Sequence, residues 1–204
     1  MLNRFARAFF GKLFTPLARL FLKMGISPDV VTIVGTLGVC FGALAFYPRH
    51  EFLVGTLVIT AFVFSDTLDG VMARLMGRTG NWGAYLDSTL DRVGDAAIFG
   101  GLVLWYAGGG NNVVMAGLAL ACLILGSVVS YAKARAESLG MTANVGIAER
   151  ADRLVAVLVT TGLVGLGLPE VVLTVVLAVL AVASLVTVIQ RMWAVRVQAF
   201  AAAR

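Results

Sequence analysis

Apolar runs occupy almost everything beyond residue 27, at about 28–47, 52–76, 83–107, 112–136, 152–168 and 170–193. Short polar or helix-breaking stretches divide them: Pro48 to Glu51, Gly77 to Trp82, Gly108 to Asn112, Glu137 to Ala151, and Pro169. About 20 apolar residues suffice to cross a bilayer as a helix. Lipid offers no hydrogen bonds to an open backbone, so such runs must be helical or closed into a barrel. The chain therefore reads as an all-α integral membrane protein. It forms a single domain over residues 1–204, with a six-helix transmembrane bundle at 28–193. Composition agrees: 60% of residues are hydrophobic and 13% charged, against roughly a quarter charged in soluble domains. Six spans and their connections leave no length for a separate soluble domain.

Charge placement predicts the orientation. With the N-terminus in the cytoplasm, Arg49 alone among the 16 basic residues falls on the outer side. The positive-inside bias thus puts both termini in the cytoplasm. Before the first span, Phe5, Phe9, Phe10, Leu13, Phe14, Leu17 and Leu20 recur at helical spacing, interleaved with Arg4, Arg7, Lys12, Arg19 and Lys23. This is the pattern of an interfacial amphipathic helix over 1–24, lying among membrane lipids with its cations at anionic headgroups. No cleaved signal peptide is evident. Cys40 and Cys122 sit in apolar runs and read as packing residues, while His50 lies in a polar break and reads as a solvated loop residue. The net charge of +5 is spread along membrane edges, so nucleic acid is excluded as a partner.

The anomaly is acidic. Asp66, Asp69, Asp87, Asp91 and Asp95 fall within one 30-residue window, inside segments that otherwise read as membrane helices. Each costs about 2.5–3.5 kcal/mol on insertion scales, so water or bound cations must compensate them. Asp66 and Asp69 are three residues apart and Asp87 and Asp91 four, so each pair shares a helix face. The short loop between the two helices makes them antiparallel neighbours, and the four carboxylates converge near the cytoplasmic membrane edge. An all-oxygen set suits Mg²⁺ or Mn²⁺ and not zinc. Two ions would suit displacement at phosphorus, where attacking and leaving oxygens both need neutralising. Gly70, Ala73 and Gly83 on the same faces allow either a close substrate approach or close helix packing.

The string from Asp66 to Asp91, DTLDGVMARLMGRTGNWGAYLDSTLD, fits D-x₂-D-G-x₂-A-R-x₈-G-x₃-D-x₃-D without a departure. It resembles the signature of the CDP-alcohol phosphotransferase family, whose members displace CMP from a CDP-linked lipid by attack of an alcohol. The resemblance implies Asp66, Asp69, Asp87 and Asp91 as metal ligands, with Asp91 also the catalytic proton acceptor. It implies contacts to the CDP-lipid from Gly70, Ala73, Arg74 and either Thr79 or Gly80. The turn at Ser27 to Thr32 is similar to a second family feature and adds Asp29, Val30, Val31 and Thr32 to those contacts. Asp95 lies outside the signature and reads as a supporting or packing residue. A homodimer in the cell membrane, with its site facing the cytoplasm, follows from the resemblance.

Basic residues near the site, Lys133, Arg135, Arg150, Arg153, Arg191 and Arg196, have a topological reading as edge residues that snorkel to headgroups. They also suit a phosphorylated polyol acceptor, because guanidinium groups bind phosphate through paired hydrogen bonds. The run SYAKARAESLG and the later IAERADRL resemble the matching segment of actinobacterial phosphatidylinositol phosphate synthases, which join CDP-diacylglycerol to inositol 1-phosphate. That resemblance implies Lys133, Arg135, Arg153 and Arg191 as the acceptor-phosphate residues, Arg153 foremost. A phosphatidylglycerophosphate synthase using glycerol 3-phosphate shares the signature and is the nearest alternative. A divalent cation transporter is a distant one, since no inverted partner motif stands in the second half of the chain.

Overall fold

Ser27 and Pro28 open the first long helix. The Ser27 hydroxyl accepts the Val30 amide at 3.3 Å, Pro28 occupies the first turn, and Asp29 adds a negative charge where the helix dipole favours one. In this computed structural model residues 14–77 and 80–201 are described, Asp66 through its backbone only. A short helix at 14–23, α1, precedes that start. The chain continues as α2 Pro28–Phe46, a 3₁₀ turn Tyr47–Arg49, α3 Phe52–Val63, α4 Ser65–Leu75, α5 Asn81–Ala107, α6 Val113–Ser138, α7 Arg150–Gly165 and α8 Glu170–Ala201. Helix accounts for 84% of the structure, with no strand among the described residues.

The expected second span, 52–76, is broken at Phe64 into α3 and α4. Ser65 causes this locally: its hydroxyl donates to the Phe62 carbonyl at 2.6 Å, and the Thr67 and Leu68 amides both turn to the Phe64 carbonyl. A serine that bonds back to its own helix competes with the regular ladder and bends it. Packing exploits the bend, because Gly35 of α2 faces Ser65 so closely that an added Cβ would lie 1.7 Å from its hydroxyl oxygen. The later helices differ from expectation at their ends. α7 starts at Arg150, where Glu149 and Asp152 form a reciprocal capping box, and α8 runs on to Ala201.

α2 packs against α3, α4 and α5, while α6 joins α5 to α8, and α7 packs mainly on α3 and α8. The main core gathers Tyr47, Phe52, Ile59, Ile98, Leu102, Tyr106, Leu158, Leu173 and Leu177. A smaller cluster at the other end joins Ala18 of α1 to Val31, Leu68, Val71 and Met72. Of the expected interfacial helix, residues 1–13 lie outside the described residues, and 14–23 is helical, with Ala18 buried and Leu17 and Leu20 exposed.

Four helical stretches are long and apolar enough to cross a membrane: Pro28–Arg49, Phe52–Leu75, Val113–Ser138 and Glu170–Ala201. α5 does not meet that standard because of its charges, and α7 because of its length. α5 carries Asp87, Asp91, Arg92 and Asp95, and α7 has 16 residues with Arg150, Asp152 and Arg153 in its first turn. Apolar side chains such as Leu37, Phe41, Leu57, Val114, Val179 and Ile189 stand on the exterior, a surface suited to lipid and not to water. The chain is a multi-pass membrane protein.

Candidate active site

Where α4 ends and α2 and α5 begin, the helices leave a cavity of about 640 Å³. α2 contributes Asp29 and Thr32, α4 contributes Asp69, Gly70 and Ala73, and α5 with its leading loop contributes Gly80, Trp82, Gly83 and Asp87. Two helix N-termini therefore open into one space, an arrangement that favours anionic groups such as phosphates. Asp69 is buried, accepts a hydrogen bond from the Thr32 hydroxyl, and lies within electrostatic reach of Asp87 and Asp91. Trp82 bridges the starts of α5 and α2, its indole N–H donating to Asp29 Oδ2 at 3.1 Å.

Most expected CDP-lipid residues gather at this cavity, with three exceptions. Val31 is buried in the smaller core cluster, and Val30, which is exposed, is absent from the cavity wall. Arg74 is exposed and folds back along α4, its Nη1 lying 3.7 Å from where a Cβ on Gly70 would stand. Thr79 and the Asp66 side chain lie outside the described residues.

Asp91 occupies a different position from Asp69 and Asp87. One turn along α5, it borders a small void of about 20 Å³ with Thr36, Gly94 and Arg150. Its Oδ1 pairs with Arg150 Nη1 at 2.9 Å and its Oδ2 lies 3.6 Å from Arg92 Nη2. Asp95, a further turn on and buried, accepts from Arg150 Nε at 3.1 Å. The fifth carboxylate thus supports a cation that in turn holds the fourth.

Beyond Asp91 a second cavity of about 630 Å³ opens among α5, α6, α7 and α8. Its wall includes Arg92, Ser130, Lys133, Arg150 and Arg191, set against Glu137 and Glu149. Four cations and two carboxylates leave it positive, with guanidinium groups able to grip an anion by charge-assisted hydrogen bonds. The Arg92 guanidinium donates to the Ser130 hydroxyl. Arg191 donates to the carbonyls of Val145 at 3.0 Å and Val129 at 2.5 Å, pinning the loop before α7 to the bundle.

Of the four expected acceptor residues, Lys133 and Arg191 line this cavity and Arg135 and Arg153 do not. Arg135 is exposed and reaches Ser138 Oγ at 3.3 Å. Arg153 is 2% exposed and donates to the carbonyls of Ala148 at 3.3 Å and Gly126 at 3.4 Å. It fits because Gly126 has no side chain: an added Cβ would stand 3.1 Å from Arg153 Nη2. One turn earlier on α7, Arg150 takes the place at the cavity that Arg153 was expected to fill. Arg150 and Arg92 are the cationic residues of this cavity outside the four expected ones. The signals for them were the ERADR run that opens α7 and the direct adjacency of Arg92 to Asp91.

Residues 25–146 match the family model described as CDP-alcohol phosphatidyltransferase. The chain is 57% identical to the phosphatidylinositol phosphate synthase of Streptomyces avermitilis over 202 residues, which cover 96% of this chain and 83% of that one. Among solved structures it is similar to Mycobacterium tuberculosis phosphatidylinositol phosphate synthase with CDP-DAG bound. The TM-score is 0.87 at 41% identity, covering 90% of this chain and 94% of that one. The structure of the same mycobacterial enzyme in complex with manganese and citrate is similar too, with a TM-score of 0.86, 41% identity and coverage of 89% and 88%. This chain belongs to the CDP-alcohol phosphatidyltransferase family.

Proposed function

We propose that this enzyme transfers the phosphatidyl group of CDP-diacylglycerol to inositol 1-phosphate, yielding phosphatidylinositol phosphate and CMP. The observation that carries this reading is a pair of cavities, one lined by carboxylates and helix N-termini, the other by cations, with Asp91 in electrostatic reach of Asp69 at the first and paired with Arg150 at the second. The first suits a nucleoside diphosphate, the second the phosphate of the acceptor. Asp69 lies within electrostatic reach of Asp87 and Asp91, and among the described residues no basic side chain lines the first cavity; carboxylate oxygens of this kind suit hard divalent cations. Asp66, Asp69, Asp87 and Asp91 would hold Mg²⁺ or Mn²⁺, as two ions. When bound, the metal supplies charge neutralisation on the diphosphate and lowers the pKa of a coordinated alcohol.

The chain's own residues do the rest. Asp29, Thr32, Gly70, Ala73 and Gly80 shape the nucleotide site, and the positive ends of α2 and α5 face the phosphates. Lys133 and Arg191 hold the acceptor phosphate so that an inositol hydroxyl lies beside Asp91. Asp91 takes the hydroxyl proton as the oxygen attacks the β-phosphorus. The bond from that phosphorus to the bridging oxygen breaks and CMP leaves with the electron pair. The acyl chains stay among membrane lipids. We read the fold as six spans, α5 and α7 crossing with their polar ends at the cytoplasmic edge, preceded by an interfacial helix. Both termini and the site face the cytoplasm, and the enzyme works in the cell membrane as a homodimer.

The test is CMP release by purified protein with CDP-diacylglycerol and Mg²⁺, comparing inositol 1-phosphate, glycerol 3-phosphate, free inositol and serine. Release with inositol 1-phosphate alone is expected. Release with glycerol 3-phosphate instead would reassign the acceptor to the phosphatidylglycerophosphate branch.

A further inference from the structure

Arg150 lines the second cavity and the small void beside Asp91, and each of its three guanidinium nitrogens is used on α5. Nε donates to Asp95 Oδ1 at 3.1 Å, Nη1 pairs with Asp91 Oδ1 at 2.9 Å, and Nη2 reaches the Asp91 carbonyl at 3.5 Å. Because the guanidinium is planar, fixing Nε and Nη1 fixes the plane. The two carboxylates lie one turn apart on one helix, so the fork matches their spacing. The shared pair is mostly removed from solvent: the side chains of Asp91, Asp95 and Arg150 are 18%, 11% and 27% exposed.

The placement runs against local preference. Arg150 is the first residue of α7, at the helix end where a positive charge is disfavoured. The Glu149–Asp152 capping box holds that end in register, with the Glu149 amide donating to Asp152 Oδ2 at 3.3 Å. α7 packs mainly on α3 and α8, so the guanidinium reaches across to α5 instead of backing an existing helix contact. The residue also forms part of the acceptor cavity wall.

Resting on the transfer reaction above, we propose that Arg150, clamped by Asp95, is a positioning residue for Asp91. It fixes the carboxylate's orientation from the acceptor side, so that the acceptor and the proton-accepting oxygen are registered against one rigid group. This gives Asp95, outside the family signature, a role: it sets the guanidinium plane. Arg92 is a poor substitute, since its Nη2 lies 3.6 Å from Asp91 Oδ2 and its Nη1 is engaged by Ser130.

The experiment measures kcat, both KM values and melting temperature for the full-length detergent-solubilised enzyme and the variants Arg150→Gln, Arg150→Lys and Asp95→Asn. Arg150→Gln is expected to lower kcat by about 100-fold, the scale of a small misplacement of a reacting group, with the KM for CDP-diacylglycerol unchanged. Arg150→Lys keeps the charge but cannot span both carboxylates, so its kcat stays down by at least about tenfold while melting returns to the wild-type value. Asp95→Asn lowers kcat by about tenfold, and in the Arg150→Lys background it has little further effect. Wild-type kcat in Arg150→Gln would overturn the proposal. So would full rescue of kcat by lysine, which would mark a merely stabilising charge. A wild-type enzyme that releases no CMP with any acceptor would instead sink the transfer reading on which the proposal rests.

Discussion

The two cavities differ in how the chain assembles them. The first takes nearly all its chemistry from a short stretch of sequence, Asp69 to Asp87, on two helices joined by a short loop, with the start of α2 completing the wall. The second draws on α5, α6, α7 and α8, with Arg92 and Arg191 nearly a hundred residues apart. Helical spacing within one hairpin fixes which side chains share a face. No such rule fixes which members of a scattered basic cluster turn toward a common space. Asp91 lines neither cavity but is linked to both, to the first through Asp69 and to the second through Arg150.

That contrast is breakable by mutation, and the largest effect belongs at the shared residue. Asp91→Asn keeps the shape but removes the proton acceptor, and turnover is expected to fall by about 10²–10⁴-fold, with CDP-diacylglycerol binding retained. Normal turnover in that variant would remove Asp91 from the reaction. Asp69→Ala acts on the first cavity alone: metal-dependent CDP-diacylglycerol binding should weaken by about 100-fold or more, read by a binding titration with and without Mg²⁺. Tight binding in that variant would contradict the ligand role.

Arg153→Ala sharpens the second half of the comparison. Its guanidinium serves two backbone carbonyls deep in the bundle, and each buried group left without a partner costs about 1–3 kcal/mol. The expected result is a lowered melting temperature with an unchanged acceptor KM in the folded fraction. A raised acceptor KM at normal stability would return Arg153 to the cavity wall. The smallest effect is that of Trp82→Phe, which removes the hydrogen bond to Asp29. A bond of that kind contributes about 0.5–1.5 kcal/mol, so the KM for CDP-diacylglycerol should rise by no more than about tenfold.

The all-helical membrane fold was legible because apolar runs of bilayer length admit few other solutions. The break at Phe64 was not, since α3 and α4 read as one apolar stretch and the bend arises from the hydroxyl of Ser65 meeting its own backbone opposite Gly35. The convergence of Asp69 and Asp87 followed from spacing, while Asp29 and Thr32 were implied only by the family resemblance of the Ser27 to Thr32 turn. Arg150 and Arg153 show where such reading stops. They are three residues apart on one helix, both in a basic run, and the difference between them is set by neighbours distant in sequence: Asp91 and Asp95 for one, Gly126 for the other. A glycine on α6 is no signal in the sequence of α7.

The central claim of the proposed function is that each substrate has its own cavity, with Asp91 reacting between them. It is tested most directly by the two KM values of Lys133→Met, a change confined to the second cavity. The account predicts a rise of about tenfold or more in the KM for inositol 1-phosphate, the loss of one charge-assisted contact, with the KM for CDP-diacylglycerol unchanged. A rise in the CDP-diacylglycerol KM alone would contradict it.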